Sequence, residues 1–443
     1  MDGGLPVVVV GGGPIGLAAA THLLERGLDP VVLEAGDEVG AAVRQWHHVR
    51  LFSPWNEVVD SAATRLLDSA GWEPPDPASY PTGELWAERY LQPLAKALGE
   101  RIRLGTRVVG VTRRGRDRVV DAGRETEPFT VHTVGADGIE GRITAGAVID
   151  ASGTWGVPNP LGGDGLPAIG EHAAATRIVY RVPDLTDERV AARYCGKHFA
   201  VVGSGHSALT ALVALSAFTA DDPTTHLTWV LRRGQIGNAF GGGQSDALAA
   251  RGALGQRARA AVDDGHVDVV TGFRTTAVER AHGGVALVSD NGGRLDHLDE
   301  IVVLTGFRPD LSWLSEIRLG LDTTLQAPVA LAPLIDPNVH SCGSVPPHGA
   351  AELVHPEPGF YLVGMKSYGR APTFLALTGY EQVRSVVAEI AGDHDAATRV
   401  DLQLPETGVC GGSGLFDESG AAAESCCATP DVITLSVPSL LQR

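Results

Sequence analysis

Val7-Val8-Val9-Val10-Gly11-Gly12-Gly13-Pro14-Ile15-Gly16 carries two signals in one run. Four consecutive β-branched residues suit a central parallel strand, buried on both faces. They lead without a gap into GxGxxG, where each glycine has its own task. Gly11 permits the tight turn, Gly13 lets the backbone approach a pyrophosphate, and Gly16 lets the next helix pack closely. Pro14 and Ile15 open that helix, whose N-terminal amides face the phosphates. The helix is expected over 15–26, stopping at Gly27, and a second strand over 30–33 ends in Glu34. A carboxylate there accepts hydrogen bonds from adenosine ribose hydroxyls and repels a 2′-phosphate. The first site is therefore expected to hold FAD or NAD rather than NADP.

The pattern returns further along the chain. His198-Phe199-Ala200-Val201-Val202 reads as a strand, and Gly203-Ser204-Gly205-His206-Ser207-Ala208 opens an apolar helix running through Leu215. Ala208 in the third glycine position is an accepted variant. The next strand, over 227–231, ends in Arg232-Arg233 instead of an acid. Guanidinium groups stay charged and offer forked donors to a 2′-phosphate, so NADPH is preferred over NADH. His206 and Ser207 follow the turn and read as parts of the phosphate loop.

Two nucleotide sites in one chain imply that one domain is inserted in the other. The crossings are expected at Ala147-Val148-Ile149-Asp150-Ala151-Ser152-Gly153-Thr154-Trp155 and at Ile301-Val302-Val303-Leu304-Thr305-Gly306-Phe307-Arg308-Pro309-Asp310, both apolar strands ending in small-residue turns. Gly359 to Gly364 gives one more strand and turn, and a long helix is expected over 371–390, with Pro372 in its first turn. A helix N-terminus aimed at the flavin favours its anionic reduced form. The fold class is α/β, with two nested Rossmann-like dinucleotide-binding domains of the three-layer ββα/βαβ type. An FAD-binding domain is expected over 1–160 and 301–400, an inserted NADPH-binding domain over 161–300, and a flexible cysteine-containing tail over 401–443.

Over roughly residues 5–392 the chain resembles the flavin-dependent monooxygenase-like superfamily of two-dinucleotide-domain flavoproteins, relatives of the group B monooxygenases. The matching pieces are Gly11 to Gly16, Glu34, Tyr80-Pro81 with the following helix, Asp150 to Pro160, Gly203 to Ala208, and Leu304 to Asp310. Phe52-Ser53-Pro54-Trp55 and Ser367-Tyr368-Gly369-Arg370-Ala371-Pro372-Thr373-Phe374 are similar to a bacterial branch associated with arsenic-resistance operons. The resemblance implies FAD and NADPH as cofactors and molecular oxygen as a partner. It also implies oxygenation of a small soft nucleophile (sulfur, nitrogen or an arsenical) through a C4a-hydroperoxyflavin. Gly153, Thr305, Gly306, Gly364, Thr373 and Phe374 join the cofactor-binding set, and Ser53, Trp55, Asn56, Tyr368 and Arg370 fall near the flavin. The cofactor carries this chemistry, so no side chain is assigned as catalytic.

The chain also departs from that pattern. The FxGxxxH fingerprint of the group B enzymes has only a loose echo in Leu166-Pro167-Ala168-Ile169-Gly170-Glu171-His172. The Gly-Asp expected at the ribityl chain is Gly364-Met365, leaving Lys366, backbone amides or Arg44 to stand in. No CxxC or CxxxxC pair is present, so a relayed dithiol is not expected; Cys195 and Cys342 read as ordinary buried small residues. Cys410, Cys426 and Cys427 lie in the Gly/Ser/Ala-rich tail. As soft thiolates they could hold a thiophilic metalloid such as arsenite, relay electrons from the flavin, or be inert. A reductase using those thiols and a metalloid-binding redox sensor are thus the competing readings.

Composition narrows the field further. Among 443 residues, 53 Asp plus Glu stand against 35 Lys plus Arg, a net charge of −18 that repels nucleic-acid backbones. No run of 18 apolar residues occurs, so a soluble cytoplasmic protein without a membrane partner is expected; the sequence leaves the oligomeric state open, with a homodimer as one assembly. Leu404-Pro405-Glu406-Thr407-Gly408 spells a cell-wall sorting signal, but no apolar stretch follows it, and we read it as coincidence.

Overall fold

In a computed structural model, residues 4–402 are described apart from 244, 245, 247, 282, 339–344 and 373. The chain begins with β1 (Val7–Val10), the helix Pro14–Glu25 and β2 (Pro30–Leu33), followed after a helical excursion by β3 (Ile102–Arg103). A meander of β4 (Thr106–Arg113), β5 (Phe129–Gly135) and β6 (Glu140–Ala145) then leads to β7 (Ala147–Asp150). Beyond it come β8 (Ile178–Val179), β9 (His198–Val202), β10 (His226–Val230) and β11 (Asp268–Val270). A second meander, β12 (Thr275–Ala281), β13 (Gly284–Ser289) and β14 (Arg294–Leu298), precedes β15 (Glu300–Val303) and, much later, β16 (Phe360–Leu362).

These strands make two parallel sheets, ordered β16-β7-β1-β2-β3 and β11-β10-β9-β15-β8, each accompanied by a three-stranded antiparallel meander. Strand alternation explains the layering. In β1, Val7 and Val9 face the cluster containing Leu17, Val383 and Val386 of the helices Pro14–Glu25 and Ala376–Ile390. Val8 and Val10 face the cluster containing Val111 and Val131 of the meander. In β9, Phe199 and Val201 likewise pack on Leu209 and Leu212 of the helix His206–Asp221, while Ala200 and Val202 pack on Val285 and Leu287. A β-branched run was needed because both faces are covered; burying each such side chain is worth roughly 1.5–3 kcal/mol. The expected fold class of two nested Rossmann-like units in ββα layers is the one observed.

Two expectations are corrected. The strand expected to return the chain to the first unit, β15, pairs with β9 and β8, so it completes the second sheet and the chain leaves that sheet only after Val303. A boundary at 300/301 is therefore too early: an apolar strand is legible in sequence, but its hydrogen-bond partner is not. The long helix expected from 371 begins at Ala376, after an extended Leu375. A proline is tolerated in the first turn of a helix, but the residue ahead of it is pushed out of the helical region, and Ala371 stands in that position before Pro372. The segment instead folds back so that the Tyr368 and Phe374 rings meet edge-on, 5.0 Å apart.

Candidate cofactor and active site

Both glycine loops sit where the chain order reverses, between a central strand and its later neighbour. This is the crevice at which open α/β sheets bind ligands. Gly11 has φ +104°, and a Cβ there would lie 2.8 Å from the Ala151 carbonyl oxygen at the end of β7. A Cβ on Gly16 would stand 1.9 Å from the Gly11 oxygen, so close helix packing requires glycine. Gly13 is different, because nothing lies within 4 Å of an added Cβ and the space before the helix Pro14–Glu25 is open. Glu34 is held over this loop by the Gly12 amide (2.6 Å to Oε2) and the Gly36 amide (2.7 Å to Oε1). Each carboxylate oxygen keeps a lone pair for a further donor.

Arg44 ends the short helix Ala41–Arg44, with Nε 2.8 Å from Glu38 Oε2 but poorly aligned for a hydrogen bond. Its Nη2 is buried and has no hydrogen-bond partner among the described residues. A guanidinium nitrogen in that state carries a desolvation cost that an anion would offset. The open Gly13 face, the fixed Glu34 and this orphaned donor together fit a dinucleotide.

The second cradle repeats the first in its backbone. Gly203 has φ +131°, and a Cβ would meet the Leu304 oxygen beyond β15 at 2.3 Å, whereas Gly205 is open to 4 Å. The Gly203 carbonyl accepts from Trp229 Nε1 at 2.7 Å. His206 and Ser207 form the first turn of the helix His206–Asp221. Burial, helped by the nearby Arg251 charge, pushes the His206 imidazole down to about 4, so it is neutral at physiological pH. Its ring stands 5.4 Å from that of Phe52, linking this loop to the first unit. After β10, the Arg233 guanidinium reaches back to the loop, donating from Nη2 to Ser204 Oγ at 3.2 Å, and Arg232 Nη1 donates to the Gly163 carbonyl at 3.2 Å.

The two crossing segments lie side by side. Pro158 and Phe307 form an antiparallel bridge, Arg308 N donates to the Val157 oxygen, and Asn159 Nδ2 donates to the Thr305 oxygen at 2.8 Å. Gly153 and Gly306, with φ +68° and +95°, are the turns that enter and leave this pair. Thr305 and Gly306 thus belong to the double crossing itself. Trp155 and Phe307 stack against each other there, with ring centroids 4.9 Å apart.

Several residues expected near the flavin are packing residues. Trp55 and Tyr368 are 4% and 2% exposed within the first core, and Ile15 packs against Gly364 and Gly379. Ser53 is buried, while Asn56 and Arg370 are exposed, Arg370 donating from Nε to Gln326 Oε1. Lys366 is not available to a ribityl chain. It is fully buried, with Nζ 2.6 Å from Asp150 Oδ2 and 3.1 Å from Ser152 Oγ, and lies over the Trp313 ring. That pair fastens the end of β7 to the turn Gly364–Tyr368. Sequence reasoning missed its partner, and missed Gln382, whose Oε1 accepts from the Gly364 amide at 2.7 Å. Its neighbours on the same helix face include Thr378 and Ser385, so no local contrast marked it in the sequence. Cys195 is exposed, not buried, because it sits in the turn before β9. Thr373, Cys342, Cys410, Cys426 and Cys427 lie outside the described residues.

Residues 8–330 match the pyridine nucleotide-disulphide oxidoreductase family, and the chain belongs to that family of FAD-binding, NAD(P)H-dependent oxidoreductases. Among curated proteins it is similar to digeranylgeranylglycerophospholipid reductase of Methanosarcina acetivorans, 28% identical over 166 residues, 33% of this chain. That match spans 40% of the reductase's own length. Among solved structures it is similar to bacillithiol disulfide reductase of Bacillus cereus (TM-score 0.63, 18% identity, 87% of this chain and 99% of that one). It also resembles the cadaverine monooxygenase DfoA of Erwinia amylovora (0.59, 14%, 96% and 99%) and a flavin-containing monooxygenase of Stenotrophomonas maltophilia (0.54, 22%, 88% and 98%). At these identities the likeness is one of fold. No helix among the described residues is long and apolar enough to cross a membrane.

Proposed function

We propose that this protein is an NADPH-dependent FAD monooxygenase acting on a small soft nucleophile: a sulfur, nitrogen or arsenical compound. The observation that carries the cofactor assignment is the opposite chemistry at two equivalent strand ends. Glu34 is pinned beside the first cradle and Arg233 leans on the second. Glu34 would accept hydrogen bonds from ribose hydroxyls of FAD, the Gly13 face would admit the pyrophosphate, and Arg44 Nη2 would donate to it. Arg232 and Arg233 would take the 2′-phosphate of NADPH, while the open Gly205 face would admit its pyrophosphate. The chemistry supplied by FAD when bound is hydride acceptance from NADPH and electron delivery to oxygen. The protein's own part is to hold the two dinucleotides and keep water out. The buried Asp150–Lys366 pair and Gln382 fix the turn Gly364–Tyr368, which forms one wall beside the first cradle.

Oxygenation is favoured over dithiol relay because the sequence carries neither CxxC nor CxxxxC, the spacings that set two thiols against a flavin. The test is turnover under labelled oxygen with a thioether, a primary amine and a trivalent arsenical. One oxygen consumed per NADPH, with label in the product, is expected. The family's disulphide chemistry and the adjacent Cys426-Cys427 favour a second reading, a reductase that passes two electrons to a disulfide of the tail cysteines, whose resulting thiols then reduce an external disulfide by exchange. NADPH oxidation that persists without oxygen when a small disulfide is supplied as acceptor, and is abolished by Cys426→Ser with Cys427→Ser, would establish that reading in place of the first.

A further inference from the structure

Among the described residues, one cluster of side chains apart from the two cradles has the composition of a metal site. His47 and His48 follow the helix Ala41–Arg44 in the first unit, and Asp184 lies in the segment beyond the first crossing. One ligand atom from each falls within 4.8 Å of the other two, and His47 Nε2 is 3.1 Å from Asp184 Oδ2.

Three further observations point to an occupant. First, both ring nitrogens of His48 are buried and have no hydrogen-bond partner among the described residues; the Val182 and Pro183 backbone lies nearby without meeting that geometry. Buried polar atoms are seldom left so, and coordination of a cation would satisfy one of them. Second, the two oxygens of Asp184 have different duties. Oδ1 accepts from the Thr186 amide at 3.0 Å and its hydroxyl at 2.6 Å, leaving Oδ2 facing the histidines. A carboxylate oriented by outer hydrogen bonds is how metal sites are braced. Third, the backbone beneath is fixed, since the His47 carbonyl accepts from the Glu84 amide at 2.9 Å. The nearest arginine along the segment, Arg181, is turned away onto the Trp155 ring, 3.9 Å from its centroid.

We propose that His47, His48 and Asp184 bind a first-row divalent cation of the Zn²⁺ class, clasping the first unit to the inserted segment. Two imidazoles and one carboxylate suit such an ion, with a fourth position left for water. The site draws on none of the residues assigned to the cofactors, so it stands or falls independently of the monooxygenase reading.

The experiment is titration of the chelator-treated, full-length flavoprotein with Zn²⁺ at neutral pH, followed by calorimetry and by metal analysis after dialysis. A single saturable equivalent is expected. It should weaken about tenfold or more in His48→Ala and in Asp184→Ala, and about tenfold in Thr186→Ala, which alters only the outer bracing. Flavin content reports whether each variant is folded. Should His48→Ala lose its flavin, the more exposed His47→Ala takes its place in the series. Absence of saturable binding by the unmodified protein overturns the proposal. So does equal binding by it and by folded histidine variants, which would assign the ion to other ligands such as the tail cysteines.

Discussion

The two glycine loops share a backbone and differ in nearly everything attached to it. In each, the first glycine takes a positive φ and abuts a carbonyl from the neighbouring strand end, Ala151 in one and Leu304 in the other. In each, the middle glycine faces open space. The first loop, however, closes on Gly16, where an added Cβ would have no room, while the second closes on Ala208, which is fully buried and tolerated. The first is overhung by a carboxylate locked by two amides, the second by a guanidinium resting on a serine hydroxyl. On the function proposed above, the backbone would set that a phosphate chain can be held, and the strand-end side chain which nucleotide it is.

The largest effect that would test this comparison lies at the third loop position. Gly16→Ala should cost more than about 3 kcal/mol, the upper end of ordinary overpacking, because the atom met is backbone. Gly13→Ala should leave the melting of the flavin-free protein unchanged while abolishing flavin retention. If both variants melt alike, the division between packing and binding glycines is wrong.

Next in size is the ion pair behind the first loop, whose counterpart near the second is the buried Arg251–Asp246 pair at 2.7 Å, close to His206. Lys366→Met should destabilise by about 3–5 kcal/mol in denaturant titration, since it leaves Asp150 charged and uncompensated in the interior. Adding Asp150→Asn to Lys366→Met should recover most of that loss. Failure to recover would mean that Lys366 acts through something other than Asp150.

Acid should weaken both units. Burial depresses His355 in the first unit to about 4, and His206 beside the second loop to about 4, from an ordinary 6.5. A histidine depressed by folding is neutral in the native state and takes up a proton on unfolding. Its contribution is therefore complete above pH 6.5 and is lost as pH falls from there through about 4. For His355, only 4% exposed, the loss is on the order of 3 kcal/mol. Stability measured across that range should flatten in His355→Gln, and a slope unchanged by that substitution would refute the assignment.

The smallest effect is the most specific. Arg233→Ala should raise the KM for NADPH roughly 10–100-fold, the worth of about 1.5–3 kcal/mol for a charge-assisted contact, and leave that for NADH unchanged. Equal effects on both would mean that Arg233 supports the loop without reading the 2′-phosphate.

Local chemistry made both loops legible in sequence. Positive φ, close backbone approach and a covered parallel strand each restrict residue choice within a few positions, so Gly11 to Gly16, Glu34, Gly203 to Ala208 and the Arg232-Arg233 pair could be read without the fold. The side chains expected around the flavin fared differently. Trp55 and Tyr368 turned out to be core, and Lys366 is bound to an aspartate from another strand. Nothing local distinguishes an aromatic or a lysine that faces a ligand from one that faces a neighbour.

Sequence by itself therefore determined the two nested dinucleotide-binding units, their order and the opposite charge at their strand ends. These depend on conformational limits and periodicities that act over short stretches. Only the tertiary structure decided that β15 completes the second sheet, that the last long helix waits until Ala376, that Asp150 and Lys366 neutralise each other, and that His47, His48 and Asp184 converge. Each of those depends on which distant segments pack together, and the energies involved belong to the contact rather than to either partner.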